Sequence, residues 1–252
     1  MTAPDATVQL IGTQSVIVHS TTMDDDYELA VALPDSYHGG SERYPTLLVL
    51  DSPGFFGFAR LMASTQHYDG RLPEMIVVGI GRPDTDLDLW DHIRVRDYAP
   101  VVLTDQPGSG RAVEFLDVLD QELLPVVHAQ LRTDPTDTTL WGHSLGGTFV
   151  LSVLTQRPDL VERYIATSPA VTLGDQRLLD PPDALALSRP TPLFVSVGAD
   201  DNDFRPGIES YLKALRQAGH HNLELQTAVF ADAGHTVASI LGLLYGIQAV
   251  RS

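Results

Sequence analysis

The sequence predicts an α/β fold, a mostly parallel sheet covered by helices on both faces, and three observations support it. Short, unbroken apolar runs bounded by Pro, Gly and Asp recur along the chain, as strands buried on both faces require. Helical periodicity fills the stretches between those runs. The alternation begins only after two segments that read as antiparallel strands.

The elements follow in order. Residues 8–18 (VQLIGTQSVIV) and 27–34 (YELAVALP) carry partial alternation and β-branched content, the mark of half-buried strands. TLLVLD (46–51) and MIVVGIG (75–81) read as central strands. After a PGSG turn, residues 112–131 set Val113, Leu116, Leu119, Leu123, Val126 and Val127 near helical spacing, with Pro125 expected to bend or end a turn. TTLWG (138–142) is a strand running straight into an apolar helix over 144–156. RYIATSP (163–169) and PLFVSVG (192–198) are further strands, and residues 208–219 form an amphipathic helix closed by Gly219. LELQTAVF (223–230) is the last strand and residues 236–250 the last helix.

A chain of 252 residues fits one domain, 1–252, with residues 1–26 as an N-terminal strand region. No apolar run approaches the roughly 20 residues needed to span a bilayer. The opening MTAPDATVQLIG lacks a basic segment followed by an apolar one, so a cytoplasmic protein is expected. With no cysteine, a disulfide framework, thiolate metal ligands and a cysteine nucleophile are excluded. Sixteen basic against 33 acidic residues give a formal charge of −17, a surface that repels phosphate backbones and anionic headgroups. Neither nucleic acid nor membrane is expected as a partner. Acidic residues cluster at 82–92 and 198–203.

The chemistry is concentrated in TTLWGHSLGGTFVLSVL. Gly142, Ser144 and Gly146 form G-x-S-x-G at a strand-to-helix junction, the context of an α/β-hydrolase nucleophile elbow. There a strained turn lifts the serine hydroxyl above the sheet, and the Leu145 N–H points at the developing oxyanion. A serine needs a base. In this fold the order is Ser, then Asp or Glu, then His. His235 stands in ADAGHT, just after the last strand, where a base must be to reach the elbow. The acid comes from GADDND, which offers Asp200, Asp201 and Asp203. Asp200 and Asp201 are neighbours whose side chains diverge, and Asp203 lies nearer the following helix, which favours Asp201. His143 is expected to support the elbow rather than move protons. The other histidines have no second ligand at metal spacing, and residues 24–26 and 200–203 lack the calcium-loop pattern. No metal and no cofactor is therefore expected.

At these residues the chain resembles the putative-esterase branch of the α/β-hydrolases, above all its siderophore-esterase-like members and S-formylglutathione hydrolase. The resemblance runs from about residue 27 to 250. It rests on YPTLLVLD (44–51), IVVGIGR (76–82), RVRDYAP (94–100), FLDVLDQELLP (115–125), GHSLGG (142–147), ATSPA (166–170), SVGADD (196–201) and AGHTVAS (233–239). It implies an eight-stranded α/β-hydrolase fold with little or no lid, acting on small-molecule esters through an acyl-enzyme. Ser144 and His235 carry over as nucleophile and base, and Asp201 falls where the family often has its acid. Some siderophore-type members work as a Ser–His dyad. Two departures matter. The family's L-D-G-x turn reads LDSPG (50–54) here, and Pro53 has no N–H; after a shifted turn a donor at or close to Gly54, the Gly54 or the Phe55 amide, is expected to complete the oxyanion hole, or the hole is weaker. SPAVTL replaces a segment that often carries two tryptophans, implying a less aromatic site.

The leading expectation is a serine esterase. The rivals are an acyltransferase using the same acyl-enzyme and a non-catalytic binding protein on the hydrolase scaffold. Residues 171–190 leave no room for a lid domain, and Phe55, Phe56 and Phe58 are expected near the cleft mouth.

Overall fold

The computed structural model describes residues 10–83 and 87–252, the side chains of 87–90 excepted. Residues 8–9 of the first predicted strand and 84–86 of the first acidic stretch lie outside it.

Strands β1 (Thr13–Ser20) and β2 (Asp25–Ala32) pair antiparallel, and β2 is also antiparallel to β4 (Ile76–Gly81). From there the sheet is parallel through β3 (Tyr44–Val49), β5 (Thr133–His143), β6 (Arg163–Thr167), β9 (Thr191–Gly198) and β10 (Leu223–Phe230). The order is β1-β2-β4-β3-β5-β6-β9-β10, eight strands as the resemblance implies. Two short strands, β7 (Thr172–Leu173) and β8 (Gln176–Arg177), form a separate hairpin.

Alternate side chains of each strand enter opposite cores. On one face Leu47, Val49, Val77, Trp141, Ile165 and Phe194 pack with α1 (Ser52–Tyr68) and α7 (His235–Ala249). On the other, Leu48, Val78, Leu140, Tyr164 and Val195 pack with α3 (Ala112–Val118), α4 (Leu124–Gln130), α5 (Leu145–Gln156) and α6 (Arg205–Ala218). Helix α2 (Leu87–Tyr98) adds Val95 and Tyr98 to that second core. Both faces are covered, so continuous apolar strands are the stable solution. No helix of the described residues is long and apolar enough to cross a membrane.

At Pro125, expected to bend or end a turn, the helix is interrupted by a π-helical turn over Leu119–Leu123 that joins α3 to α4 and absorbs the missing N–H. One outcome differs from the sequence reading. Helix α1 starts directly after β3, where only a turn was expected, because Pro53 suits the first turn of a helix. The phenylalanines go with it. Phe56 is buried in the α1 core rather than at a cleft mouth, and Phe58 packs beside it. Phe55 alone reaches the site, edge-on to Trp141 and His143.

Candidate active site

Ser144 lies between β5 and α5 with φ 56 and ψ −121, a conformation that costs about 1–3 kcal/mol and persists only when its surroundings impose it. They do. Its N–H donates to Thr167 O at 3.0 Å, and its carbonyl accepts from the N–H groups of Thr148 (3.0 Å) and Ala170 (3.2 Å). The glycines permit the close approach: a Cβ at Gly142 would lie 2.3 Å from Gly146 O, and one at Gly147 3.1 Å from Thr167 O. Leu145, first residue of α5, keeps its N–H free of any hydrogen bond, as helix starts do.

His235 opens α7, and its Nδ1–H donates to Asp201 Oδ2 at 2.8 Å. Asp201 is buried, whereas Asp200 and Asp203 face solvent, so the structure pairs one of the three candidates with the histidine. Two backbone bonds bring the loops together: Ala199 N–H to Phe230 O (2.8 Å) and Asp200 N–H to Ala233 O (3.0 Å). Gly198 is required there, since a Cβ would sit 2.1 Å from Ala233 O. With Nδ1 committed to the carboxylate, Nε2 is the nitrogen left to accept a proton. The Ser144 hydroxyl is not hydrogen-bonded to His235.

Two rings enclose the His235 imidazole. Phe204 stacks on it, centroids 4.4 Å apart and planes 24° apart, and His143 lies 4.5 Å away on a tilted plane. His143 donates from Nδ1 to Thr167 O at 3.1 Å. Burial first, then the nearby His235 and Arg94, push its pKa down to about 3, so it remains a neutral prop.

On the other side of Ser144, Asp51 precedes α1 in left-handed backbone, φ 56 and ψ 47. The Gly54 N–H, the expected second oxyanion donor, already donates to Asp51 O at 3.0 Å, an acceptor it shares with the Phe55 N–H at 3.2 Å. Pro53 has none to give. The amide left without an acceptor in this turn is that of Ser52, one residue nearer the strand. Sequence reasoning did not anticipate the unpaired Ser52 amide, the close approach at Gly198 or the stacking of Phe204. The first depends on where α1 starts, and the others on two loops meeting.

A family model described as "Putative esterase" matches residues 20–224. The chain belongs to the putative esterase family. It is an esterase of the serine-hydrolase class. This esterase is 26% identical over 242 aligned residues to the ferri-bacillibactin esterase BesA of Bacillus subtilis, covering 88% of this chain and 80% of that one. It is 33% identical over 111 residues to the siderophore triacetylfusarinine C esterase of Aspergillus fumigatus, covering 43% and 37%. Among solved structures the esterase is similar to the BES protein from Bacillus cereus, with a TM-score of 0.84, 21% identity and coverage of 99% and 98%. It is also similar to the enterobactin hydrolase IroE in complex with DFP, with a TM-score of 0.70, 22% identity and 94% of each chain. These structural likenesses establish the α/β-hydrolase fold.

Proposed function

We propose that this esterase cleaves carboxylic esters through an acyl-enzyme on Ser144. The observation that carries the reading is the buried Asp201–His235 bond of 2.8 Å, held beside a serine in strained elbow geometry. His235 Nε2 takes the Ser144 proton as Oγ attacks the ester carbonyl, then returns it to the leaving alcohol. Water, activated by the same nitrogen, releases the acid. Asp201 fixes the tautomer and stabilises the imidazolium, and the face of Phe204 adds favourable contact with that cation. The oxyanion is held by the Leu145 and Ser52 amides, in place of the Gly54 amide expected from sequence.

The substrate in this reading is a small-molecule ester of the siderophore type, supported by the relatives named for siderophore esters. The separate hairpin β7–β8 is the only regular structure described within residues 171–190, which favours an open site accepting a bulky ester. Labelling with a fluorophosphonate and mapping the adduct tests the nucleophile, alongside a panel of siderophore and p-nitrophenyl esters. Ser144→Ala should abolish labelling and lower kcat by roughly 10⁵–10⁶. Turnover unaffected by that substitution sinks the proposal.

A further inference from the structure

The RVRDY stretch of α2 divides between two partners. Arg96 pairs with Asp97 (2.6 Å) and Asp25 (2.7 Å), and Tyr27 donates to Asp97 at 2.9 Å, tying the helix to β2. Arg94 and Tyr98 turn instead to Asp51. Arg94 Nε and Nη2 donate to Asp51 Oδ1 and Oδ2, each at 3.0 Å, a two-pronged pairing that fits a planar guanidinium and not an ammonium. The Asp51 N–H donates to Tyr98 Oη at 3.4 Å.

Asp51 is only 3% exposed, and it immediately precedes the Ser52 amide. Its Oδ2 also approaches the start of α5, since a Cβ on Gly146 would lie 3.1 Å from it. A buried carboxylate thus borders both amides assigned to the oxyanion. Left unpaired, it would repel the developing negative charge and compete for the positive end of α5. Although burial opposes its charge, Arg94 is held protonated by Asp51, and its side chain is only 17% exposed.

We infer that Arg94 is a positioning residue for the oxyanion side of the site: it cancels the Asp51 charge and pins the β3–α1 turn, leaving the Ser52 and Leu145 amides to the oxyanion. The inference rests on the acyl-enzyme mechanism proposed above. It requires no contact between Arg94 and substrate, which separates it from a role in binding an anionic group.

The test compares the full-length wild type with Arg94→Gln, Arg94→Lys, Asp51→Asn and the Arg94→Gln/Asp51→Asn double variant. Each is measured for kcat and KM on uncharged p-nitrophenyl butyrate and for thermal midpoint. Each is also titrated with a trifluoromethyl ketone, whose tetrahedral adduct on Ser144 carries the oxyanion. Arg94→Gln should lower kcat by about 10²-fold with KM nearly unchanged and weaken the ketone to match, the scale of losing one oxyanion donor. Removing the Asp51 charge as well should recover at least about tenfold of that loss, because the repulsion goes with it. A purely structural role would move the thermal midpoint without this recovery. A double variant no better than Arg94→Gln overturns the inference. So does a loss confined to KM, with kcat and ketone affinity kept, which would make Arg94 a substrate contact. If Arg94→Gln does not fold, Arg94→Lys carries the test: its kcat should fall several-fold at constant KM for want of the planar fork, and an unchanged kcat overturns the inference. Absence of Ser144-dependent turnover in the wild type overturns the mechanism together with this inference; a failed variant pattern on an active wild type overturns the inference alone.

Discussion

On the β9–β10 side of Ser144 the candidate site presents side chains; on the β3 side it presents the backbone amides of the β3–α1 turn. Asp201 and His235 are a carboxylate and an imidazole whose chemistry belongs to the residue type, and the loops need only bring them together. At the β3–α1 turn the residue types say little. What counts is which N–H groups the first turn of α1 consumes, and that turn spends the Gly54 amide on Asp51 O. The two sides therefore tolerate substitution differently. A change of one functional group should disable the first. A change of packing, with every functional group kept, should damage the second.

Of changes on the two sides flanking Ser144, the largest effect should come from the acid. Asp201→Asn is expected to lower kcat by about 10⁴, the order reported for the same change in a protease triad, by favouring the wrong imidazole tautomer. Asp200→Asn and Asp203→Asn should remain near wild type, because both side chains face solvent. Steady-state kinetics on one activated ester separates the three. Equal rates would mean a Ser–His dyad, leaving the β9 loop as scaffold only.

A smaller effect probes the amide side. A Cβ at Gly79 would lie 2.5 Å from Ser52 Oγ and 3.0 Å from Phe56 Cβ. Gly79→Ala should push the start of α1 away from β4, costing about 1–3 kcal/mol as overpacking does. It should also lower kcat about tenfold, since displacing a donor by a fraction of an ångström weakens transition-state contact. Chemical denaturation and kcat on the same preparation measure both. Lost stability with full kcat would show that the turn does not position a donor.

The effect with least bearing on turnover concerns His143, which stands between the two sides. Its folded pKa is pushed from 6.5 down to about 3, chiefly by burial and then by His235 and Arg94. Between those values the unfolded chain binds a proton that the folded chain refuses. The His143 contribution is therefore complete above pH 6.5 and is lost as pH falls towards 3, with a slope of at most about 1.4 kcal/mol per pH unit. Denaturation midpoints from pH 7 to 4 should fall less steeply in His143→Gln than in wild type. Parallel slopes would contradict a neutral, buried His143.

Much of this was legible in the sequence, because strand burial on two faces, the elbow glycines and the Ser–Asp–His order leave local marks. LLVL, IVVGIG and FVSVG became strands β3, β4 and β9, and Ser144 and His235 lie at the sheet edge their order required. What the sequence left open needed neighbours distant in the chain. Asp201 was separated from Asp200 and Asp203 only when the backbone of 198–200 docked on 230–233. Arg94 of α2 met Asp51 from 43 residues away. The Ser52 amide, not the Gly54 amide, is left open because the helix start, Pro53 and the packing of Gly79 jointly decide which N–H stays unpaired. Residue types alone determined the available chemistry; tertiary packing decided which carboxylate is buried beside His235 and which amide of the β3–α1 turn is left without an acceptor, because burial and free donors are properties of contacts between segments.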